Sequence, residues 1–363
     1  MMKERIIVIG GYGHVGQTIC QELAEQFPGN VYAAGRSLER AESFSRSTAG
    51  KVQPLQLNIG DNIDPSTLDH VKLVIMCLDQ TDTTFVQTCL NRGIHYIDVS
   101  AHAAFLSQVE QLHVEASGAG ATAILSVGLA PGLTNLLALH AKNYLDQLDT
   151  VDISIMLGLG DKHGQAAIEW TIDNLNTTFE VMQNGYPATV ASFTEGRKTS
   201  FGAKIGRKTA YRFNFSDQYV LPRTLGVPTV ATRLCFDSAA VTQLLAGLKV
   251  AGILNALTYK PIRKVAVQLF SKLQFGEEHF AVKVEARGHK DGVATLVEYF
   301  VHGKHEADVT ARVAAAVAAE LYRSSFSHGV YHIEQQFHLH HILGRIEQLI
   351  SLETRINGTP LTV

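Results

Sequence analysis

The chain has 363 residues, 46% of them hydrophobic, and a formal net charge of -3. That length calls for about two domains. The mild acidic balance excludes a basic footprint for nucleic acid or an anionic membrane, and no apolar run in the sequence is long enough to span a bilayer.

The first element is Arg5-Ile6-Ile7-Val8-Ile9, a β-branched run that reads as a buried strand. It stops in glycines, so it reads as a strand and not as a signal peptide. Gly10-Gly11-Tyr12-Gly13-His14-Val15-Gly16 follows, with Gly11, Gly13 and Gly16 in G-x-G-x-x-G spacing. The first glycine permits a tight turn, the second lets a pyrophosphate approach the backbone, and the third lets a helix pack on the strand. The helical stretch Gln17 to Phe27 offers that phosphate unpaired N–H groups and a positive dipole end. A second strand, Val31-Tyr32-Ala33-Ala34, arrives on schedule. The motif in this context points to a dinucleotide; alone it would be a glycine-rich turn.

The end of the second strand selects the cofactor. An acidic residue there would hold a ribose 2′-hydroxyl. This chain has Gly35-Arg36-Ser37, with Arg40 one turn on. A guanidinium and a hydroxyl suit a 2′-phosphate, so NADP is expected over NAD. If Arg36 only caps the turn, NAD serves as well.

Helix and strand keep alternating. A helix is expected over Leu38 to Thr48 and a third strand over Lys51 to Ile59. Val71 to Leu78 is a continuous apolar strand, as in a parallel sheet covered on both faces. A helix from Thr83 to Asn91, a strand from His95 to Ser100, a helix from Phe105 to Ser117 and a strand from Ala121 to Val127 follow. Gly128-Leu129-Ala130-Pro131-Gly132-Leu133-Thr134-Asn135 opens another helix. The fold class is α/β, a Rossmann doubly wound parallel sheet over residues 1–135.

Past Tyr144 the pattern changes to an α+β domain, 136–325, for substrate and dimerisation. Short strands are expected at Ala188–Phe193 and Ala210–Phe215, and one long helix from Ser238 to Leu257. His279 to Arg287 and Val293 to Val301 form a hairpin around the turn Gly288 to Gly292. Phe280, Val282, Val284 and Ala286 share one face; Lys283, Glu285 and Arg287 share the other, expected to be wet. Ala307 to Tyr322 is an alanine-rich helix. It and the hairpin's apolar face suit a homodimer or simple core packing.

Ligands of a doubly wound sheet bind beyond the carboxyl ends of its strands. There stand Asp79, Asp98 and His102, and the Pro131-Gly132 turn. Asp98 or His102 is the candidate acid or base; the structural alternatives are a turn cap and an exposed loop histidine, and Asp79 suits a turn. The helix after Pro131 points its N-terminus toward the expected cleft, where a substrate carboxylate could sit. His328, His332, His338, His340 and His341 cluster without H-E-x-x-H spacing, so no metal is expected. Cys20, Cys77, Cys89 and Cys235 form no pair motif and read as buried reduced thiols of a cytoplasmic protein.

These residues resemble the saccharopine dehydrogenase family. The resemblance is carried by the segment Ile9 to Gly16, Ala34-Gly35-Arg36-Ser37-Leu38, Tyr96-Ile97-Asp98-Val99-Ser100, the segment Gly128 to Asn135, and Gly329-Val330-Tyr331-His332-Ile333-Glu334-Gln335. It implies an NAD(P) fold with an inserted α+β domain and a C-terminal segment, 326–363, that packs back on the cofactor domain. It implies action at an amine-bearing carbon of an amino acid, as in saccharopine reductase, lysine dehydrogenase and carboxynorspermidine synthase. It implies cofactor contacts at Tyr12, Gly13, His14, Val15, Gly35, Arg36, Ser37, Asn58, Ile59, Leu78, Val99, Ser100, Leu129, Ala130 and Pro131, and substrate contacts at Ser100 and Ala101. Two departures stand out. Ala130 replaces the Asp of the reductases' D-P-G turn, which looks more like the lysine dehydrogenase branch. Pro222-Arg223-Thr224 is an imperfect counterpart of the reductases' arginine segment, with Arg223 the candidate carboxylate clamp. The activity expected is an NADP-preferring oxidoreductase on a C–N bond. The alternative is a non-catalytic NADP sensor or interaction protein.

Overall fold

The computed structural model describes residues 3–61, 64–272 and 276–361. In chain order the strands are β1 Arg5–Ile9, β2 Val31–Gly35, β3 Gln53–Gln56, β4 Val71–Met76, β5 His95–Asp98, β6 Thr122–Leu125, β7 Gln147–Leu157, β8 Thr178–Gln183 and β9 Tyr186–Ala191. They continue as β10 Arg197–Ser200, β11 Arg207–Arg212, β12 Thr229–Phe236, β13 His279–Lys290, β14 Val293–Lys304, β15 Gly329–His332, β16 Ile350–Ile356 and β17 Thr359–Pro360. The chain divides into two compact units. The first is Met1–Leu133 with Ala307–Ile346; the second is Thr134–Glu306 with Glu347–Val363.

The first unit is a seven-stranded sheet in the order β15-β6-β5-β4-β1-β2-β3. Every pairing in it is parallel. This is the doubly wound order that the alternation of helix and strand predicts, extended at one edge by a strand from the C-terminal return. Residues 6–9 and 73–76 are fully buried or nearly so, because helices cover both faces of the central strands. The carboxyl ends of β1, β4, β5 and β6 therefore share one side of the sheet, and the glycine turn, Leu78, Asp98 and Ser126 follow them directly.

Several elements differ from their sequence expectation. The third strand is only four residues, so Asn58 and Ile59 lie beyond it. The helix expected from Phe105 to Ser117 is two, Ala103–Glu110 and His113–Gly118. Leu112 sits at the break and turns into the core. The long helix from Ser238 stops at Val250, where Gly252 at φ +72° reverses the chain before a 3-10 segment, Ile253–Thr258.

The second unit is built on an eight-stranded sheet, β10-β11-β12-β7-β13-β14-β16-β17, with β8-β9 a separate hairpin. The β12–β7 pairing is parallel and the others are antiparallel. The β13–β14 hairpin is longer and tighter than expected. Lys290 pairs with Val293, leaving a two-residue turn, Asp291-Gly292, with φ of +51° and +74°. That is the primed geometry a twisted hairpin favours. Gly288 belongs to the strand, at a register shift against β7, and a Cβ there would collide with Gln147 O.

The face expected to be wet is wet only toward the hairpin turn, where Arg287 is exposed; at Lys283 and Glu285 it is closed. Lys283 and Glu285 are each only 5% exposed. Lys283 Nζ lies 2.8 Å from Glu298 and 3.5 Å from Glu285. Arg197 spans Asp152 at 2.6 Å and Glu285 at 3.0 Å, and Arg233 binds Asp152 at 2.6 Å. Alternation placed Lys283 and Glu285 on one face correctly; their pairing with charges on other strands, which has no sequence period, lets them be buried there. Among the described residues no helix is long and apolar enough to cross a membrane.

Lys283→Met takes the amine from Glu298, while Glu285 keeps Arg197 and Arg287, and unfolding in urea will show a loss of about 3–5 kcal/mol. Adding Glu298→Gln removes the stranded charge and recovers part of it.

Candidate functional site

The glycine turn is a backbone cradle. Gly10 has φ +78°, and Gly11 N–H reaches Val8 O and Ala34 O. A Cβ on Gly11 would lie 2.7 Å from the Ala33 Cα, and one on Gly16 would collide with Gly10 O. A Cβ on Gly13 would meet only the Gly10 carbonyl within 4 Å. Gly11 and Gly16 thus fix the turn against β2, and Gly13 is the open wall. Gly13 is also the N-cap of helix His14–Gln26 and makes no side-chain cap bond. The first N–H groups of that helix are left for a ligand. This fits the pyrophosphate of a dinucleotide. His14 is exposed and Val15 half-buried at the same rim.

Tyr12 crosses from this turn to the end of β2. Its hydroxyl accepts the Ser37 N–H at 2.9 Å, and a Cβ on Gly35 would strike that hydroxyl. The Arg40 guanidinium lies 4.9 Å over the Tyr12 ring. Ser37 Oγ caps helix Leu38–Ser47 by accepting the Arg40 N–H. Arg36 is exposed, and its carbonyl accepts Gln56 Nε2 at 3.1 Å. Arg36, Ser37 and Arg40 thus stand together at the end of β2, where a guanidinium and a hydroxyl suit a 2′-phosphate, with the exposed Glu39 the one carboxylate in the run. Asn58 and Ile59 follow β3, and Asn58 Oδ1 accepts the Gly60 N–H. Leu78, 39% exposed, lies against Gly10.

Asp98 ends β5 and is fully buried. Tyr96 Oη donates to its Oδ2 at 2.6 Å, and the Ser100 N–H donates to its Oδ1 at 2.7 Å. Gln80 Nε2 reaches Tyr96 Oη at 2.7 Å and Asp98 at 3.4 Å. Burial pushes the Asp98 carboxyl up to about 7, helped by Asp79 and opposed by the bonds from Tyr96 and Ser100. Ser100 Oγ accepts the His102 N–H at 3.1 Å and lies 3.4 Å from Asp79. His102 is exposed and caps helix Ala103–Glu110 through Nδ1, which accepts the Phe105 N–H. Ala101 is half-buried between them.

The segment after β6 sits beside this cluster. Val127 N–H donates to Asp98 O at 3.3 Å, and Leu133 N–H closes on Gly128 O at 2.8 Å. Thr310 Oγ1 accepts the Leu129 N–H at 3.1 Å. Leu129, Ala130 and Pro131 form the irregular turn, with Gly132 at φ +134°. Arg223 lies in the second unit, exposed in the last turn of helix Asp217–Leu225, its Nε donating to Tyr219 O. The cysteines are all free, with Cys77 half-buried and the others buried. The His338 and His340 rings stack, and the His341 ring lies tilted against both.

The first unit therefore brings Asp98, Ser100, Ala101 and His102 onto one turn. Tyr96 and Gln80 were missed in the sequence. Tyr96 was legible by period, since residue i-2 of a strand shares the face of Asp98; Gln80 was not, because only the fold places the end of β4 beside β5. Thr310 was likewise hidden by the long separation in sequence.

Residues 6–124 match the family described as the saccharopine dehydrogenase NADP binding domain. The resemblance carried by the glycine turn and the Gly35-Arg36-Ser37 strand end is thereby shown, and with it a nicotinamide cofactor. Carboxynorspermidine synthase of Vibrio cholerae is 28% identical over 182 residues, 43% of this chain and 43% of that protein. The match thus spans less than half the length of that relative. Apo saccharopine dehydrogenase (L-Glu forming) of Saccharomyces cerevisiae superimposes with a TM-score of 0.68, over 97% of this chain and 100% of that one, at 14% identity. That likeness shows a shared fold.

The buried Asp98 has a consequence for stability. The folded protein keeps a proton there that the unfolded chain releases near pH 4, so the contribution is complete below that pH. It is lost as pH rises through about 7, up to about 4 kcal/mol. Urea unfolding at pH 5 and pH 8 will show a smaller fall for Asp98→Asn, which does not titrate, than for the wild type.

Proposed function

We propose that this chain is an NADP-preferring oxidoreductase acting on the C–N bond of an amino acid or of an amino-acid imine conjugate. The observation that carries the reading is the glycine cradle, in a domain of NADP-binding type, with Asp98, Ser100, Ala101 and the exposed His102 gathered on one turn at the carboxyl end of β5, on the same side of the sheet. The bound nucleotide supplies or accepts a hydride. The chain's own residues do the rest. Gly13 and the helix behind it hold the pyrophosphate, while Arg36 and Arg40 hold a 2′-phosphate. Leu78, Val99 and the turn Leu129–Pro131 flank the nicotinamide.

His102 is exposed and Asp98 is sealed. The geometry supports His102 for direct proton exchange with substrate. Asp98 orients the Ser100-Ala101-His102 turn through the Ser100 N–H. Ser100 and Ala101 offer substrate contacts on that turn, and Arg223 is the candidate carboxylate clamp. The C–N class draws on the family of the cofactor domain and on the carboxynorspermidine synthase likeness. A cytoplasmic homodimer is the assembly that fits this reading.

Fluorescence titration tests the cofactor. NADPH will bind more tightly than NADH, and Arg36→Ala will erase about tenfold of that preference. Equal binding of the two nucleotides by wild type refutes the preference. A panel of lysine, saccharopine and polyamine precursors with NADP tests the reaction. Tight NADPH binding without turnover on any of them marks a sensor instead. His102→Asn will lower kcat on the true substrate by about 10²-fold or more.

A further inference from the structure

Ser126 closes β6 with φ +58° and has no exposed surface. Left-handed backbone at a residue other than glycine persists only where its surroundings hold it. Here the holding contact is a hydrogen-bond relay. Ser126 Oγ lies 2.8 Å from His332 Nδ1, and His332 Nε2 lies 2.5 Å from Glu110 Oε1. His332 is 3% exposed. All three residues belong to the first unit, but to stretches far apart in sequence: the end of β6, the end of β15, and the last turn of helix Ala103–Glu110. The Glu110 carboxylate accepts the Nε2–H, which leaves Nδ1 as the acceptor of the Ser126 O–H.

A serine, a histidine and a carboxylate in series would suit a nucleophile. The burial of Ser126 closes that role, since no acyl donor reaches its oxygen. What the relay does hold is backbone. Val127 follows Ser126 and donates to Asp98 O. A Cβ on Gly132 would lie 3.2 Å from Ser126 O, so the Leu129–Gly132 turn folds back onto this residue. β15 pairs with β6 so that His332 stands opposite Leu125. His332 N–H also donates to Gln335 Oε1, pinning the start of helix Ile333–Gln336.

We propose that Ser126, His332 and Glu110 are positioning residues that set the Leu129–Gly132 turn against the nicotinamide, so that the C-terminal return of the chain governs the reactive end of the cofactor and leaves the phosphate end untouched. The proposal rests on the NADP reading above.

The test uses the full chain and needs no substrate. NADPH is titrated by its reduced-nicotinamide fluorescence, and 2′-phospho-ADP-ribose, which lacks the nicotinamide, is titrated by calorimetry. Wild type is compared with Glu110→Ala, Ser126→Ala and Glu110→Gln. The two alanine variants are expected to bind 2′-phospho-ADP-ribose within about threefold of wild type, yet to lose most of the fluorescence enhancement of bound NADPH. Glu110→Gln still offers an oxygen to the Nε2–H and is expected to restore the enhancement. With a turnover substrate the alanine variants are expected to lower kcat by about 10-fold to 100-fold at little-changed KM. Wild-type fluorescence in both alanine variants overturns the proposal. So does a matching loss of 2′-phospho-ADP-ribose affinity, which would mark general loosening of the unit. Failure of wild type to bind either ligand is a different result: it defeats the NADP reading itself, and this inference with it.

Discussion

The first unit depends on a place where two backbones touch. Gly11 lies on Ala33 and Gly16 lies under Gly10, closer than any side chain allows. This contact sets the angle at which helix His14–Gln26 leaves β1, and so where its open N–H groups point. It also brings the ends of β1 and β2 close enough for Tyr12 to bridge them and reach Ser37. The cradle and the Tyr12–Ser37 bridge are consequences of the same missing Cβ atoms. The Asp98–His102 turn after β5 lies two strands away from that contact, with β4 between.

Sequence patterning told most about this unit because its signals are local. β-branched runs, glycine spacing and the alternation with helices each fall within a window of a few turns. Asp98 and His102 were legible as residues at a strand end. Their difference in exposure was not. That Asp98 is sealed under Tyr96 and that His102 is exposed are facts of packing. The relay through Ser126 was less legible still, because its members lie 16 and 206 residues from Ser126. His332 appeared only as one of several histidines near the end of the chain.

The second unit shows the opposite failure of pattern. Alternation along β13 assigned faces correctly, yet polarity was a poor guide to solvent. Lys283, Glu285 and Glu298 are buried because each charge meets another across the sheet. Such a face specifies register strictly. A slip of one residue would strand every charge among apolar neighbours. The bulge at Gly288 and the two-residue turn at Asp291-Gly292 hold that register from the hairpin end.

The cofactor unit is discontinuous, and this orders its birth in time. β6 is made early, but its outer edge stays unpaired until β15 emerges some two hundred residues later. At ordinary rates of synthesis that interval is roughly 10–40 s. Through it a nascent chain carries the glycine turn at the middle of a sheet whose β6 edge is open, the kind of edge that recruits other strands. β15 therefore completes the first unit's sheet. A chain stopped within the inserted unit has the whole nucleotide fingerprint but leaves that edge of the sheet unpaired.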